Sequence, residues 1–301
     1  MGALDGRVAV ITGAARGLGR EHALLFAAEG ARLVVNDLGG GPDGSGSDAG
    51  PAEQVVSEIR EAGGQAIANG DDITSAEGAD KLIQQAIDEF GALHVLVNNA
   101  GILRDRTIVN MTDGEWDDIM RVHLRGHFMP LRAAARYWRE QSKAGASLRP
   151  SVINTTSTSG LFNNPGQSNY GAAKTGIATL TVIAQRELGR YGVKVNAIAP
   201  AARTRLTLAT PGITDAIATV PDEGFDAMDP ANVSPFVAYL ATADCPIQGR
   251  VFFVAGGGVH LFQPFAIIDS ISKDGRWTVA ELQKQAARLA DVEFDLGRIP
   301  L

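Results

Sequence analysis

The chain has a single cysteine, Cys245, among its 301 residues. One cysteine cannot close an internal disulfide, so the fold draws nothing from an oxidising compartment. Cys245 stands in Thr242-Ala243-Asp244-Cys245-Pro246, which reads as a turn after a helix and not as the setting of a nucleophile. Positive charge is also in short supply: 27 basic residues face 34 acidic ones, for a net charge of −7, and the arginines are scattered. That balance lacks the electrostatic footprint of a nucleic-acid binder. No apolar run reaches the ~20 residues needed to span a bilayer, so no membrane segment is expected. Met1 to Arg7 contains no basic stretch leading into an apolar core, and Arg298-Ile299-Pro300-Leu301 is not the peroxisomal tripeptide. The expected compartment is the cytoplasm. His22, His94, His127 and His260 show no metal-ligand spacing, and no metal is expected.

What the sequence does contain is alternation. Arg7 to Thr12 is a short β-branched run ending at glycine, which predicts a buried strand. An Ala- and Leu-rich helix is expected over Gly17 to Glu29, then a second strand over Arg32 to Asn36. Leu38 to Pro51 is dense in glycine and must be a loop. Helix and strand signals then alternate. Ala52 to Glu61, Ser75 to Phe90, Ser168 to Arg190 and Ala231 to Ala241 read as helices. So does a long segment opened by Thr112 and Glu115, which have capping-box spacing. Gln65 to Asn69, Leu93 to Val97, Ser151 to Thr156, Val193 to Ile198 and Arg250 to Val254 read as strands. The pattern predicts an α/β fold: a Rossmann-type, doubly wound, seven-stranded parallel sheet with helices on both faces. One domain over residues 1–259 is expected, with a C-terminal helical extension over 260–301, where Thr278 and Glu281 repeat the capping-box spacing. Ligands of such sheets bind beyond the carboxyl ends of the strands, where strand order reverses.

Gly13-Ala14-Ala15-Arg16-Gly17-Leu18-Gly19 lies between the first strand and its helix. Small residues let the backbone approach a pyrophosphate, and the helix N-terminus offers free N–H groups. Asp37 ends the second strand, twenty residues after Gly17. A carboxylate there can bind the adenosine ribose hydroxyls and repel a 2′-phosphate, which favours NAD. Arg16 argues the other way, since a guanidinium in the turn can meet a 2′-phosphate. Otherwise Arg16 is a solvated surface residue, and NADP is the lesser expectation.

The glycine spacing is Thr-Gly-x-x-x-Gly-x-Gly over Thr12 to Gly19. Asn98-Asn99-Ala100-Gly101 follows the fourth strand, Tyr170-Gly-Ala-Ala-Lys174 gives Tyr-x-x-x-Lys, and Ser157 lies thirteen residues before Tyr170. In these motifs residues 5–258 resemble the short-chain dehydrogenase/reductase family. Within the family, the chain looks like the dehydrogenase part of the peroxisomal multifunctional enzyme type 2 and its free-standing bacterial relatives. Val35-Asn36-Asp37-Leu38-Gly39-Gly40, Val122-His123-Leu124-Arg125-Gly126 and Gly275-Arg276-Trp277-Thr278 carry that narrower likeness.

The resemblance implies an NAD-dependent oxidoreductase that interconverts a secondary alcohol and a ketone, on a 3-hydroxyacyl thioester or a hydroxysteroid. It implies Tyr170 as general acid/base, with Lys174 one helical turn away favouring the phenolate. Ser157 would orient the substrate oxygen, and Lys174 would also hold the nicotinamide ribose. The cofactor is expected against Gly13, Arg16, Gly17, Leu18, Gly19, Asp37, Asn99, Ala100, Gly101, Tyr170 and Lys174. Asp72 and Ile73 are expected at adenine, Pro200 and Thr204 at the nicotinamide amide. Many relatives carry an asparagine of a proton relay where this chain has His123. A histidine can fill a related role or simply be a core residue. Arg203 to Asp229 is expected as a substrate lid, and Leu161 and Phe162 either wall the site or pack in the core. Together these predict a small-molecule substrate with an apolar body, and a homodimer or homotetramer as in relatives. Two other functions fit less well: an NADPH-dependent reductase of 3-oxoacyl carriers, which only Arg16 favours, and a non-catalytic NAD-binding regulator, which has no need of Ser157, Tyr170 and Lys174.

Overall fold

The computed structural model describes residues 2–41, 45–208, 218–221, 223–263 and 265–291. They form two compact units that divide after Leu261. The first contains an eight-stranded sheet in the order β3-β2-β1-β4-β5-β6-β7-β8. Its strands are β1 Val8–Thr12, β2 Arg32–Asn36, β3 Gln65–Asn69, β4 Val95–Asn98, β5 Ser151–Thr155, β6 Lys194–Ala201, β7 Val251–Ala255 and β8 Gly258–Leu261. The first seven are parallel, as the alternation predicts. The eighth is an addition: Gly256 at φ +50° turns the chain back, and β8 pairs antiparallel with β7. The sequence signal stopped at β7 because β8 is four residues long and largely exposed, with no buried run to reveal it.

A parallel sheet covered on both faces needs strands that are apolar on both. β1 meets this condition with every residue buried. Ala9 and Ile11 join Leu33, Val35 and Phe26 in one core layer, under α1 Gly17–Ala28, α2 Gly50–Glu61 and the later helix Ser234–Ala241. Val8 and Val10 join Val34, Leu96 and Trp138 in the other, under α3 Ala76–Phe90 and the helices at 126–143 and 168–188. The helix ends follow local chemistry. The Ser75 side chain accepts the Gly78 N–H at the start of α3, and Gly91 closes it at φ +80°. The expected Thr112–Glu115 capping box is formed at the start of α4 Asp113–Ile119.

The segment beyond α4 departs from a uniform helix. A π-helical turn over Met120–Arg125 separates α4 from α5 Gly126–Lys143. Such turns add a residue to the helical repeat and occur often at functional sites. This one buries His123 among residues that follow β4. The remaining helices are α6 Thr158–Leu161, α7 Ser168–Leu188, α8 Arg205–Leu208 and α9 Ser234–Ala241. Residues 209–217 and 222 of the expected lid, and 42–44 of the glycine-dense loop, lie outside the described residues. In the second unit, α10 Val279–Gln285 starts with the expected Thr278–Glu281 capping box, and Arg288 pairs with Asp269.

Burial holds His22, His94, His123 and His127 below the ordinary imidazole pKa, His22 and His127 at about 3 and His94 at about 4. The unfolded chain therefore binds more protons than the folded one below pH 6.5, and stability is lost as pH falls toward 4. Thermal unfolding followed across pH 4–7 is expected to show this loss, with proton uptake on unfolding. His22→Gln, which removes one titrating group beside Ser234, should flatten the slope by about one proton.

Candidate active site

The chain order places β1 between β2 and β4, so the connections leaving β1 and β4 run to opposite faces and open a crevice at their carboxyl ends. The Thr12 hydroxyl accepts the Asn99 N–H at 3.0 Å and the Ala100 N–H at 3.2 Å. In return the Asn99 amide donates to the carbonyls of Thr12 and Gly13, at 3.1 and 3.0 Å. These bonds lock the turn after β1 to the turn after β4. The glycines between them are required by space. A Cβ on Gly19 would lie 2.1 Å from the Gly13 carbonyl oxygen, and one on Gly13 would lie 2.6 Å from the Ala100 Cα. α1 thus starts directly against the end of β1, with Arg16 as a half-buried N-cap residue that supplies no side-chain cap. Leu18 lies in its first turn, packed against the core.

Asp37 projects from the end of β2 into the same crevice. One carboxylate oxygen accepts the Ala15 N–H at 3.0 Å and the other the Gly39 N–H at 2.7 Å. A negative charge is therefore fixed beside the glycine turn, where its remaining lone pairs can take ribose hydroxyls. Asp72 and Ile73 follow β3. The Asp72 side chain accepts the Thr74 N–H, Ile73 is buried, and Arg125 donates to the Thr74 carbonyl at 2.7 Å. A cradle closed to side chains, a helix N-terminus and a fixed carboxylate are together the donor and acceptor set of a dinucleotide site.

Ser157, Tyr170 and Lys174 converge from two segments, the turn after β5 and the first half of α7. Ser157 caps α6 just beyond β5, and its oxygen accepts the Ser159 N–H at 3.1 Å. Tyr170 lies in the first turn of α7, close enough to the Ser157 side chain for that hydroxyl to favour its ionised form. Lys174 is 2% exposed, donates to the Thr155 carbonyl at 2.7 Å, and places Nζ 5.5 Å from the Tyr170 ring centroid. Burial pushes the Tyr170 phenol up to about 12, against the lowering influence of Ser157. Burial likewise pulls the Lys174 ammonium down to about 7. Both shifts oppose the charged forms, as desolvation must.

His123 lies 2.8 Å from the Ile102 carbonyl and 3.1 Å from the Ile102 N–H through the same ring nitrogen, Nε2. Only one of these bonds forms in a given tautomer. The ring meets Tyr170 edge-on at 5.0 Å, and a Cβ on Gly101 would lie 2.5 Å from it. His123 thus fills the space that Gly101 leaves and braces the tyrosine ring. Pro200 sits in β6, and Thr204 follows it with its methyl group over Gly17: a Cβ there would lie 3.5 Å from Thr204 Cγ2. Leu161 and Phe162 are half-buried at the end of α6.

Three contributors escaped the sequence reading. Asn169, fully buried beside Tyr170, accepts the Tyr170 N–H at 2.7 Å and donates to the Arg104 and Glu115 carbonyls, fixing the start of α7. Gln167 donates to the Asp105 carboxylate at 2.7 Å, tying the loop after β4 to the same helix start. His127 is fully buried on α5, and its charged form is further disfavoured by Lys174. Only His127 left a signal, four residues after His123 and so on the same helical face.

A crevice built for a dinucleotide, with a serine, tyrosine and lysine at one end, defines a nicotinamide-type oxidoreductase acting on CH–OH groups. The comparisons make the assignment specific: residues 7–210 match the short chain dehydrogenase family, and the chain belongs to it. It is similar to the hydroxyacyl-CoA dehydrogenase ChsB1 of Mycobacterium tuberculosis, at 43% identity over 99% of this chain and 91% of that one. It is 42% identical to the mouse peroxisomal multifunctional enzyme type 2, over 85% of this chain but 32% of the longer relative. The crystal structure of a short chain dehydrogenase from Mycobacterium avium matches with a TM-score of 0.86 and 50% identity, covering 96% of each chain. No helix among the described residues is long and apolar enough to cross a membrane.

His123 makes the contacts of a brace, through Ile102 and the Tyr170 ring. His123→Asn is expected to leave the limbs of the pH–rate profile in place while costing roughly 1–3 kcal/mol of stability, through the lost Ile102 bond and ring contact. A displaced limb in that profile would restore the relay role.

Proposed function

We propose that the protein oxidises the 3-hydroxyl of a 3-hydroxyacyl thioester with NAD⁺, with hydroxysteroids as the second substrate class. The observation that carries this reading is the convergence of Ser157, Tyr170 and Lys174 at the end of the crevice that Asp37 flanks. The likeness to a hydroxyacyl-CoA dehydrogenase supports the thioester. Gly13, Gly17 and Gly19 would let the pyrophosphate approach the start of α1. Asp37 would hold the adenosine ribose, Asp72 and Ile73 the adenine, and Asn99 to Gly101 the floor. Pro200 and Thr204 would face the carboxamide. Bound there, the nicotinamide supplies the hydride acceptor.

The chain's own residues do the rest. The Ser157 hydroxyl donates to the substrate oxygen and orients it. Tyr170 takes the hydroxyl proton in oxidation and returns it in reduction. The Lys174 ammonium would hold the nicotinamide ribose, and the positive ring, when bound, would favour the ionised form of Tyr170. Half-buried Leu161 and Phe162 give the substrate an apolar wall. Exposed Trp116, Phe128 and Ile183 on α4, α5 and α7 support a homodimer or homotetramer; the proposed compartment is the cytoplasm.

Reduced-nicotinamide absorbance, read with 3-hydroxyacyl-CoAs and hydroxysteroids, tests the reading. Turnover is expected on an apolar-bodied substrate and not on sugars, rising with pH as Tyr170 loses its proton more readily. Tyr170→Phe should cut kcat by roughly 10²–10⁴ while NAD affinity stays within about twofold. A wild-type protein that binds NAD but turns over no alcohol would shift the reading to the regulator. For the cofactor, titration should show tighter binding of NAD than of NADP. Asp37→Ala should erase most of that preference, because the fixed carboxylate is what opposes the 2′-phosphate. A wild-type preference for NADP would instead favour the 3-oxoacyl carrier reductase.

A further inference from the structure

The chain leaves the sheet at the end of β6 and returns toward α9, and two residues join these strands of chain at their base. The Arg203 guanidinium grips both oxygens of Asp226, at 2.7 and 3.0 Å, in the two-pronged geometry that makes such pairs strong and directional. The same guanidinium donates to the Thr219 carbonyl at 2.8 Å. The Arg203 backbone N–H donates to the Met228 carbonyl at 2.6 Å, while the Met228 N–H returns to the Asp226 carboxylate at 3.1 Å. The side chains are only 14% and 20% exposed, so this is not a solvated surface pair.

Asp226 stands on firm ground. Its carbonyl accepts the Asn232 side-chain amide at 2.7 Å, just before α9. Ala227 lies against Gly256, where an added Cβ would come within 3.3 Å of the Ala227 carbonyl oxygen. The sheet and α9 therefore fix Asp226, and Asp226 fixes Arg203. The next residue is Thr204, whose methyl group lies over Gly17. Thr204 is held from its other side by a reciprocal bond pair with Thr207, at 2.8 and 3.2 Å. The position of Thr204 above the glycine turn is thus set by the clasp one residue before it and the cap three residues after.

We propose that Arg203 is a positioning residue for the nicotinamide cofactor, acting through Asp226 to hold Thr204 over the Gly17 turn. The inference rests on the proposed carboxamide contact of Thr204 and assigns the cause of its placement. Nothing in the glycine, Tyr-x-x-x-Lys or Asn-Asn-Ala-Gly motifs includes either member of the ion pair. Loss of the clasp frees Thr204 to shift, and small misplacements of a binding group are costly.

The test is NAD⁺ affinity by titration of the full chain, which needs no substrate. Arg203→Ala should weaken binding roughly tenfold, with KM for NAD⁺ rising more than kcat falls. Asp226→Asn, which retains an oxygen for the Met228 N–H, should weaken it less, with an unchanged cofactor-free thermal midpoint showing that the fold is intact. In a Thr204→Val background, Arg203→Ala should add less than about twofold, because two residues acting through one contact are not additive. Unchanged affinity in Arg203→Ala, or a full effect added to Thr204→Val, overturns the proposal. A wild-type chain that binds neither nicotinamide cofactor overturns the reading beneath it, and the inference with it.

Discussion

The reciprocal bonding of Thr12 and Asn99 is the constraint on which the rest of the site depends. Strand order alone opens a crevice between β1 and β4, but it does not fix the crevice's width. Four hydrogen bonds between two turns do. Once they are made, the Gly13 carbonyl is aimed at α1, and only glycine fits at position 19. The helix N-terminus then faces the crevice, Ala15 presents its N–H to Asp37, and Ala100 and Gly101 form a floor against which His123 can lie. From His123 the chain of contact runs to the Tyr170 ring, and so to Ser157 and Lys174. The glycine cradle and Tyr170 are thereby set by one framework, the kind of fixed geometry that a reaction between two bound molecules requires.

Electrostatics in this framework work against each reactive residue in isolation. Tyr170 is held as a phenol and Lys174 is pressed to shed its proton, in both cases by burial. Under the proposed function, that arrangement would tie chemistry to occupancy, because positive charge brought beside the phenol favours its ionised form.

Much of this was legible in the sequence because it is local. The buried runs of β1, β2 and β4 are continuous, the capping boxes at Thr112 and Thr278 span three residues, and Tyr170 and Lys174 sit one turn apart. Asp37 was legible through its fixed distance from the glycine turn. What stayed hidden is pairing over long separations. Asn169 reaches the Arg104 carbonyl, Gln167 reaches Asp105, and Arg203 finds Asp226 only after folding. The π-helical turn was hidden for another reason: it leaves the apolar pattern of a long helix intact and changes only how the turns are counted. β8 carried no buried pattern at all.

Lys174 has a consequence for how this protein can change. No carboxylate bonds its ammonium among the described residues, and its pKa stands near 7 where a solvated lysine has 10.5. The unfolded chain therefore holds that proton more tightly than the folded one from pH 7 to 10.5, and the fold is weakened at neutral pH by keeping a lysine there. An apolar residue of similar length would relieve this. A lineage or a directed-evolution experiment that rewarded heat resistance alone would discard Lys174 early. Retaining a buried lysine at that cost is the pattern of a residue kept for something other than durability.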